Sequence, residues 1–279
     1  MAGLESERLN RNTPPAAEPL EAEPGTVEAW AIEYVTARSL AHKLSPPTPP
    51  AAFERTPRAR RLSAPGRPAE LRPARRRLEL ADDLTPPSAR AKLLHTFFHH
   101  ELQAAELMLW ALLAFADAEP PFRAGLLRIC LDEIRHMNAY RAHIQRLGFE
   151  VDAFPVRDWF WKRVPSCNSK LSFVALMGMG FEGANLEHAP YFGDRLLAAG
   201  DLEACELQQL IAREERNHVR FAVTWFERWT GGQSFEAWCA ALPPPMSPMV
   251  MRGKAFDRAA RSAAGMSAPF LDALERWQA

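Results

Sequence analysis

Between residues 88 and 230 apolar side chains recur with the period of an amphipathic helix, and no alternating strand pattern interrupts them. The period predicts a first helix over 89–116. A second starts after Pro120 and Pro121, which the first turn of a helix tolerates, and stops at Gly148. A third covers 170–199 and ends at Gly200; a fourth runs from Asp201, a good N-cap, to 229 before Gly231 and Gly232. A few residues join the first helix to the second and the third to the fourth, so each pair is expected to form an antiparallel hairpin. The longer stretch 149–169 has the length of a crossover. The expectation is an all-α chain, with 88–232 forming a four-helix bundle of two antiparallel hairpins and one long crossover.

The flanks read differently. Residues 1–25 are rich in Pro, Ala and Glu and are expected to be disordered. In 26–87 a helix is expected over 26–43, followed by an extended arm from Ser45 to Pro87, where prolines recur too often for a long helix. A Pro-rich break then opens 233–279, which ends in a short helical tail expected to pack on the bundle.

Composition narrows the class. The chain has 279 residues, 47% of them hydrophobic, enough for a packed core. Lys and Arg total 34 and so do Asp and Glu, so no global charge recommends nucleic acid or an anionic membrane. The longest nearly apolar run, 171–181, is too short to cross a bilayer, and the opening "MAGLESERLN" is too polar for a signal peptide. Cys130, Cys167, Cys205 and Cys239 lie far apart, which indicates neither a disulfide framework nor a zinc site and suits a reducing cytoplasm. Locally, residues 54–77 hold nine Arg against two Glu. A strap of Arg stems across the helices is the favoured reading; an RNA or phosphorylated ligand bound along 55–77 is the other.

Four glutamates and two histidines interrupt the apolar stripes. In "LDEIRHMNAY" the stripe Leu126, Ile129, Met137, Tyr140, Ile144 is filled by Glu133 and His136. In "REERNHVRFA" the stripe Ile211, Ala222, Trp225 is filled by Glu215 and His218. At i and i+3 both side chains of each pair share a helix face and can meet one metal ion, which removes the several kcal/mol that a bare buried carboxylate costs. Carboxylate di-metal bundles need one further Glu from each of the other two helices. Glu101 and Glu182 lie on those stripes. Glu101 to Glu182 is 81 residues, Glu133 to Glu215 is 82 and His136 to His218 is 82, the spacing of a degenerate repeat of one helical hairpin.

This set resembles the ferritin-like di-iron carboxylate superfamily. The segments "HHELQAAELMLWALLAF", "DEIRHM", "FPVRDWFW", "GFEGAN" and "HVRFA" are similar, over most of the chain, to a bacterial ferritin-like family of unknown function. The resemblance implies six ligands, Glu101, Glu133, His136, Glu182, Glu215 and His218, with Glu133 and Glu215 as bridges.

Around these, Asp132 and Glu214 suit the free ring N–H of a ligand histidine, across the pseudo-twofold. Glu106 and Glu187 follow a proposed ligand by five residues, about 140° around the helix, so they line the pocket or pair with arginines instead. His99, His100, His143 and His188 are expected to be hydrogen-bonded structural residues, and Phe98, Tyr140, Trp159, Trp161 and Phe181 to be core, with a redox role for Tyr140 as the alternative. Gly178, Gly180 and Gly183 inside the third helix allow either close packing or a π-bulge that re-aims Glu182. Four carboxylates and two imidazoles suit two iron ions, or a Mn/Fe or Mn/Mn pair. The expected activity is an oxygenase or oxidase using dioxygen and an electron donor on a small organic substrate or modified nucleotide, in a monomer or homodimer. Ferroxidase and iron storage, or a metal-stabilised binding module without turnover, are the alternatives.

Overall fold

The computed structural model describes residues 20–75, 79–252 and 256–278. The expected disorder over 1–25 lies mostly outside the described residues, as do Arg76 and Arg77 of the arginine-rich run. Among the described residues the protein is all-α, with no strand and one isolated bridge between Pro73 and Val156.

Side-chain oxygens and prolines set the helix starts. α1 (Val27–Thr36) opens where the Thr26 hydroxyl accepts from the Ala29 N–H, and α2 (Leu40–Leu44) where Ser39 accepts from His42. The single helix expected over 26–43 is therefore two. Ser39 supplies a second cap, and the bend lets the Lys43 ammonium reach back to the carbonyls of Tyr34 and Val35 at 2.6 and 2.9 Å.

α3 (Pro87–Ala114) and α4 (Pro120–Arg146) both carry proline in the first turn, and the short turn 115–119 folds them into a hairpin packed along its length. α1 and α2 cover this hairpin: the Glu28–Arg123 ion pair is 2.5 Å, and the Asn138 amide donates to the Leu44 carbonyl at 2.7 Å.

The second hairpin begins with α5 (Lys170–Phe173), continues through a π-helical stretch (Val174–Glu182) into α6 (Gly183–Ala198), and returns as α7 (Leu202–Thr230). α7 starts at Asp201, which accepts from the Ala204 N–H, and stops at Gly231 in the left-handed region (φ 79°). α4 and α7 run antiparallel. The Phe122 ring lies 5.0 Å from Trp229 at one end, and His143 pairs with Asp201 at 3.0 Å at the other.

The third helix of the sequence is thus continuous but not uniform. The stretch over Val174–Glu182 has widened i→i+5 turns, and the carbonyl of Ala175 within it accepts from the Trp238 Nε1–H at 3.0 Å. Gly178 is needed as well, because a Cβ there would strike the Ala222 side chain of α7. Close packing and π-helix occur together, and Glu182 is the last residue of the π stretch.

The arm is a strap. The Gly66 N–H donates to Val35 at 2.8 Å, the Arg60 N–H to Leu113 at 2.9 Å, and the Trp110 indole to the Leu62 carbonyl at 3.0 Å. Arg61 lies over the rings of Trp110 and Phe115. At its far end the Ala74 N–H donates to Val156 in the crossover at 2.8 Å. The C-terminal segment packs as α8 (Phe235–Ala241), α9 (Arg258–Ala263) and α10 (Ala268–Arg276), capped by Ser234, Asp257 and Ser267. Among the described residues no helix is long and apolar enough to cross a membrane.

Where the crossover leaves α4, the buried His95 holds the Val151 carbonyl through Nε2 at 2.7 Å. Burial pulls its pKa from 6.5 down to about 4. The unfolded chain therefore takes up a proton in a range where the native chain does not. Stability is full above the unfolded value and falls as pH drops towards 4. Chemical denaturation should show the wild type losing ~2 kcal/mol more than His95→Gln between about pH 7 and about pH 4.5. Parallel profiles for the two proteins would refute this role.

Candidate metal centre

Glu101 from α3, Glu133 and His136 from α4, Glu182 from the end of the π stretch, and Glu215 and His218 from α7 are all buried. Helical spacing aims each Glu-x-x-His pair inward, and the antiparallel course of α4 and α7 sets the two pairs face to face. Ligating atoms of Glu101, Glu133, His136 and Glu215 lie within 4.8 Å of one another. His218 joins from the other side, its Nδ1 3.0 Å from Glu133 and 3.3 Å from Glu215. His136 Nδ1 lies 3.3 Å from Glu133 and 3.7 Å from Glu215.

These contacts leave much of the donor capacity unused. Glu133 Oε1, Glu182 Oε1, both oxygens of Glu215 and Nδ1 of His218 are buried with no hydrogen bond among the described residues. The short His218–Glu133 approach is off the line that a hydrogen bond needs. Orphaned acceptors at this depth are rare in native proteins and call for a cation.

The electrostatics agree. Burial raises Glu101 well above the usual carboxylate range, and the neighbouring Glu133 raises it further. Glu182 is raised by burial and by the charges of Glu215 and Glu133. Burial opposes charge on His136, but Glu133 and Glu215 outweigh it and lift the imidazole to about 9. His218 is lifted likewise by Glu215 and Glu133 against its burial. Four carboxylates facing two imidazoles form a cage that draws in positive charge, and a mixed N/O donor set of this kind fits iron or manganese.

The outer ring nitrogens face acids from the opposite helix. His136 Nε2 meets Glu214 of α7 at 2.6 Å, and His218 Nε2 is 3.4 Å from Asp132 of α4. Arg135 ties the two acids together at 2.8 Å each. With Nε2–H donated outward, the inward Nδ1 of each ring would offer its lone pair to a cation that displaces the proton there.

Glu106 and Glu187 are not beside these six residues, nor do they line the cavity described below. Glu106 receives Lys43 at 2.8 Å, Arg67 at 2.6 Å and the Trp161 indole at 2.8 Å. Glu187 receives Arg261 at 2.7 and 2.6 Å and the Asp257 N–H at 2.8 Å. Their shift of about 140° from the ligand direction turns each towards an added segment: Glu106 to the strap and crossover, Glu187 to the C-terminal segment.

A cavity of about 330 Å³ opens beside Glu101 and Glu182. Phe97, Tyr140, Trp159, Phe160, Phe181 and Phe192 line it, so Tyr140 and Phe181, which belong to the core as expected, also form its wall, and Trp159 packs against that core. Phe98 and Trp161 are core. His99 and His143 are paired, with Asp158 and Asp201. His100 and His188 border the cavity, as does Asn185, and none of the three has a hydrogen bond to a described residue. Sequence reasoning missed His100, Asn185 and His188 as lining groups. The signal was their proximity in the chain, His100 adjoining Glu101 and Asn185 lying one turn beyond Glu182.

A family model described as a protein of unknown function, DUF455, matches residues 25–272. An uncharacterized protein of Haemophilus influenzae is 23% identical over 155 residues. That alignment covers 53% of this chain and 54% of the relative, so the chain spans about half the length of the curated relative it matches. No solved structure matches.

Proposed function

The chain belongs to the DUF455 family, and from that premise we propose that it is a ferritin-like di-iron carboxylate protein, an oxygenase or oxidase acting on a small organic substrate. The observation that carries this reading is the convergence of six buried donors from four helical segments, with carboxylate oxygens that no protein group satisfies. Glu101 and His136 with Glu133 and Glu215 would hold one ion, and Glu182 and His218 beside the same two glutamates would hold the other. Two iron ions held there supply the redox chemistry for activating dioxygen, and Mn/Fe or Mn/Mn pairs fit the same donors.

The protein's own groups do the rest. Glu214 and Asp132 hold the outer ring nitrogens and so fix which nitrogen faces the cage. The aromatic cavity offers room for a substrate beside Glu101 and Glu182. Insertion of one oxygen atom into a C–H bond takes two protons and two electrons from a separate donor and leaves one water. The spacing repeat, the two hairpins and the crossover support the ferritin-like bundle.

The test is metal content and oxygen reactivity in one sample. Protein purified from iron-supplemented cells should carry about two metal ions per chain. After anaerobic reduction, admitting oxygen should produce a near-UV or visible absorbance. Glu133→Ala and Glu215→Ala should lose both signals while keeping the helical circular dichroism. Wild-type protein without stoichiometric transition metal sinks the reading. Assembly into a large hollow shell would move it to ferroxidase and iron storage.

A further inference from the structure

We infer that the cavity beside Glu101 and Glu182 binds a neutral, flat aromatic or heteroaromatic molecule, ring inward, with a hydrogen-bonding polar end at its mouth. This deepens the proposed function and rests on it.

The walls select a flat guest. On one side Trp159, Phe160 and Phe181 touch one another at ring separations of 4.9–5.5 Å, and His100 continues that wall 4.9 Å from Phe160. On the other, Phe97 contacts Tyr140 at 5.7 Å and Phe192 at 5.2 Å. Among the described residues the two groups come together where Phe97 approaches His100 at 6.4 Å. Stacked, tilted and edge-on rings thus give the cavity an aromatic lining, and a π-system entering it gains stacking and edge contacts beyond the burial of its area.

Polarity is graded along the slot. His188 is exposed and Asn185 and His100 are half-buried, whereas Glu101 and Glu182 are buried. Among the described residues His100, Asn185 and His188 find no hydrogen-bond partner, so their ring nitrogens and amide can take a partner of matching chemistry. An amide, a hydroxyl or a ring nitrogen satisfies them.

Charge decides the rest. No Lys or Arg is among the described lining residues, and the two glutamates at the inner end are acidic. Arg195, which lies over the Phe192 ring, is committed to the carbonyls of Ala81 and Asp82. In the metal-free chain a carboxylate or phosphate entering the slot would lose its water without gaining a cation from any described lining side chain. The described lining therefore favours an uncharged ring system with polar substituents over a phosphorylated nucleotide.

The test is isothermal titration of the metal-free full-length chain with naphthalene-2-carboxamide and naphthalene-2-carboxylate, which share one shape and differ in charge. Without metal, neither probe can gain affinity by ligating an ion. The carboxamide should bind at least about tenfold more tightly. Ala184 also lines the cavity, and Ala184→Trp, which fills the slot, should weaken carboxamide binding by at least about tenfold without changing the metal count of the loaded protein. Asn185→Leu should lower the carboxamide-to-carboxylate ratio by at least about threefold and guards against misfolding of the larger change. Equal or tighter carboxylate binding, no carboxamide binding, or full binding by Ala184→Trp overturns the inference. Metal content is counted separately, so loss of the di-metal reading and loss of the pocket reading give different results.

Discussion

Glu106→Ala should cost ~3–5 kcal/mol, the expected loss when one partner of a buried ion pair is removed. Glu106 is the meeting point of three segments. It accepts from Lys43 at the end of the N-terminal helices, from Arg67 in the strap and from Trp161 in the crossover. Both Glu106 and Lys43 have fully buried side chains, and Arg67 is mostly buried. Burial opposes the charge on Glu106, but Lys43 and Arg67 outweigh it and hold the carboxyl below its ordinary range. Without the carboxylate, Lys43 keeps only the carbonyls of Tyr34 and Val35, and Arg67 keeps Asp158. The variant should unfold at markedly lower urea and be cut by protease within the strap, while folded protein retains wild-type metal content. A loss below ~1 kcal/mol with an uncut strap would show that the arm is held by its backbone contacts alone. Loss of metal from folded protein would return Glu106 to the centre.

Arg261→Met should cost a similar ~3–5 kcal/mol. Arg261 is fully buried, makes a two-bond fork to Glu187 and donates to the Met251 carbonyl at 2.6 Å. Removing it strands the Glu187 carboxylate with only the Asp257 N–H. The companion Glu187→Leu should be as damaging, because it strands the guanidinium. Replacing both with apolar groups of similar volume removes the two buried charges but leaves the Met251 carbonyl and the Asp257 N–H without these partners, and Glu187→Leu with Arg261→Met should come back to within ~2 kcal/mol of wild type. Urea denaturation of all four proteins forms the cycle. Strictly additive losses would mean that the pair is not the anchor of the C-terminal segment.

The two anchors reflect the internal repeat. Glu106 follows Glu101 by five residues as Glu187 follows Glu182, and each fastens what the hairpin has acquired at its outer face. A capped helical hairpin repeated with 81–82-residue spacing would leave these positions facing solvent. Here one receives the N-terminal strap and the other the C-terminal helices.

By itself, the sequence determined where most of the long helices start and stop, because proline, Asp201 and Gly231 act within a turn of their own position. It also determined which glutamates and histidines turn inward, because helical periodicity fixes a side chain's direction before any neighbour is known. Tertiary structure decided the rest. The break between α1 and α2 depends on Lys43 reaching carbonyls and a carboxylate that distant segments bury. The π-helix depends on Ala222, Val250 and Trp238 pressing on a glycine-rich stretch whose local preference would accept an ordinary helix. The partners of Glu106 and Glu187 lie 39 to 74 residues away, and no periodicity along the chain links a buried acid to a partner at that distance. The slot beside Glu101 and Glu182 exists only where rings from α3, α4, the crossover and the second hairpin fail to close on one another. Direction along a helix is a local property of the backbone, whereas a cavity or a buried ion pair is a property of what several segments jointly exclude from water.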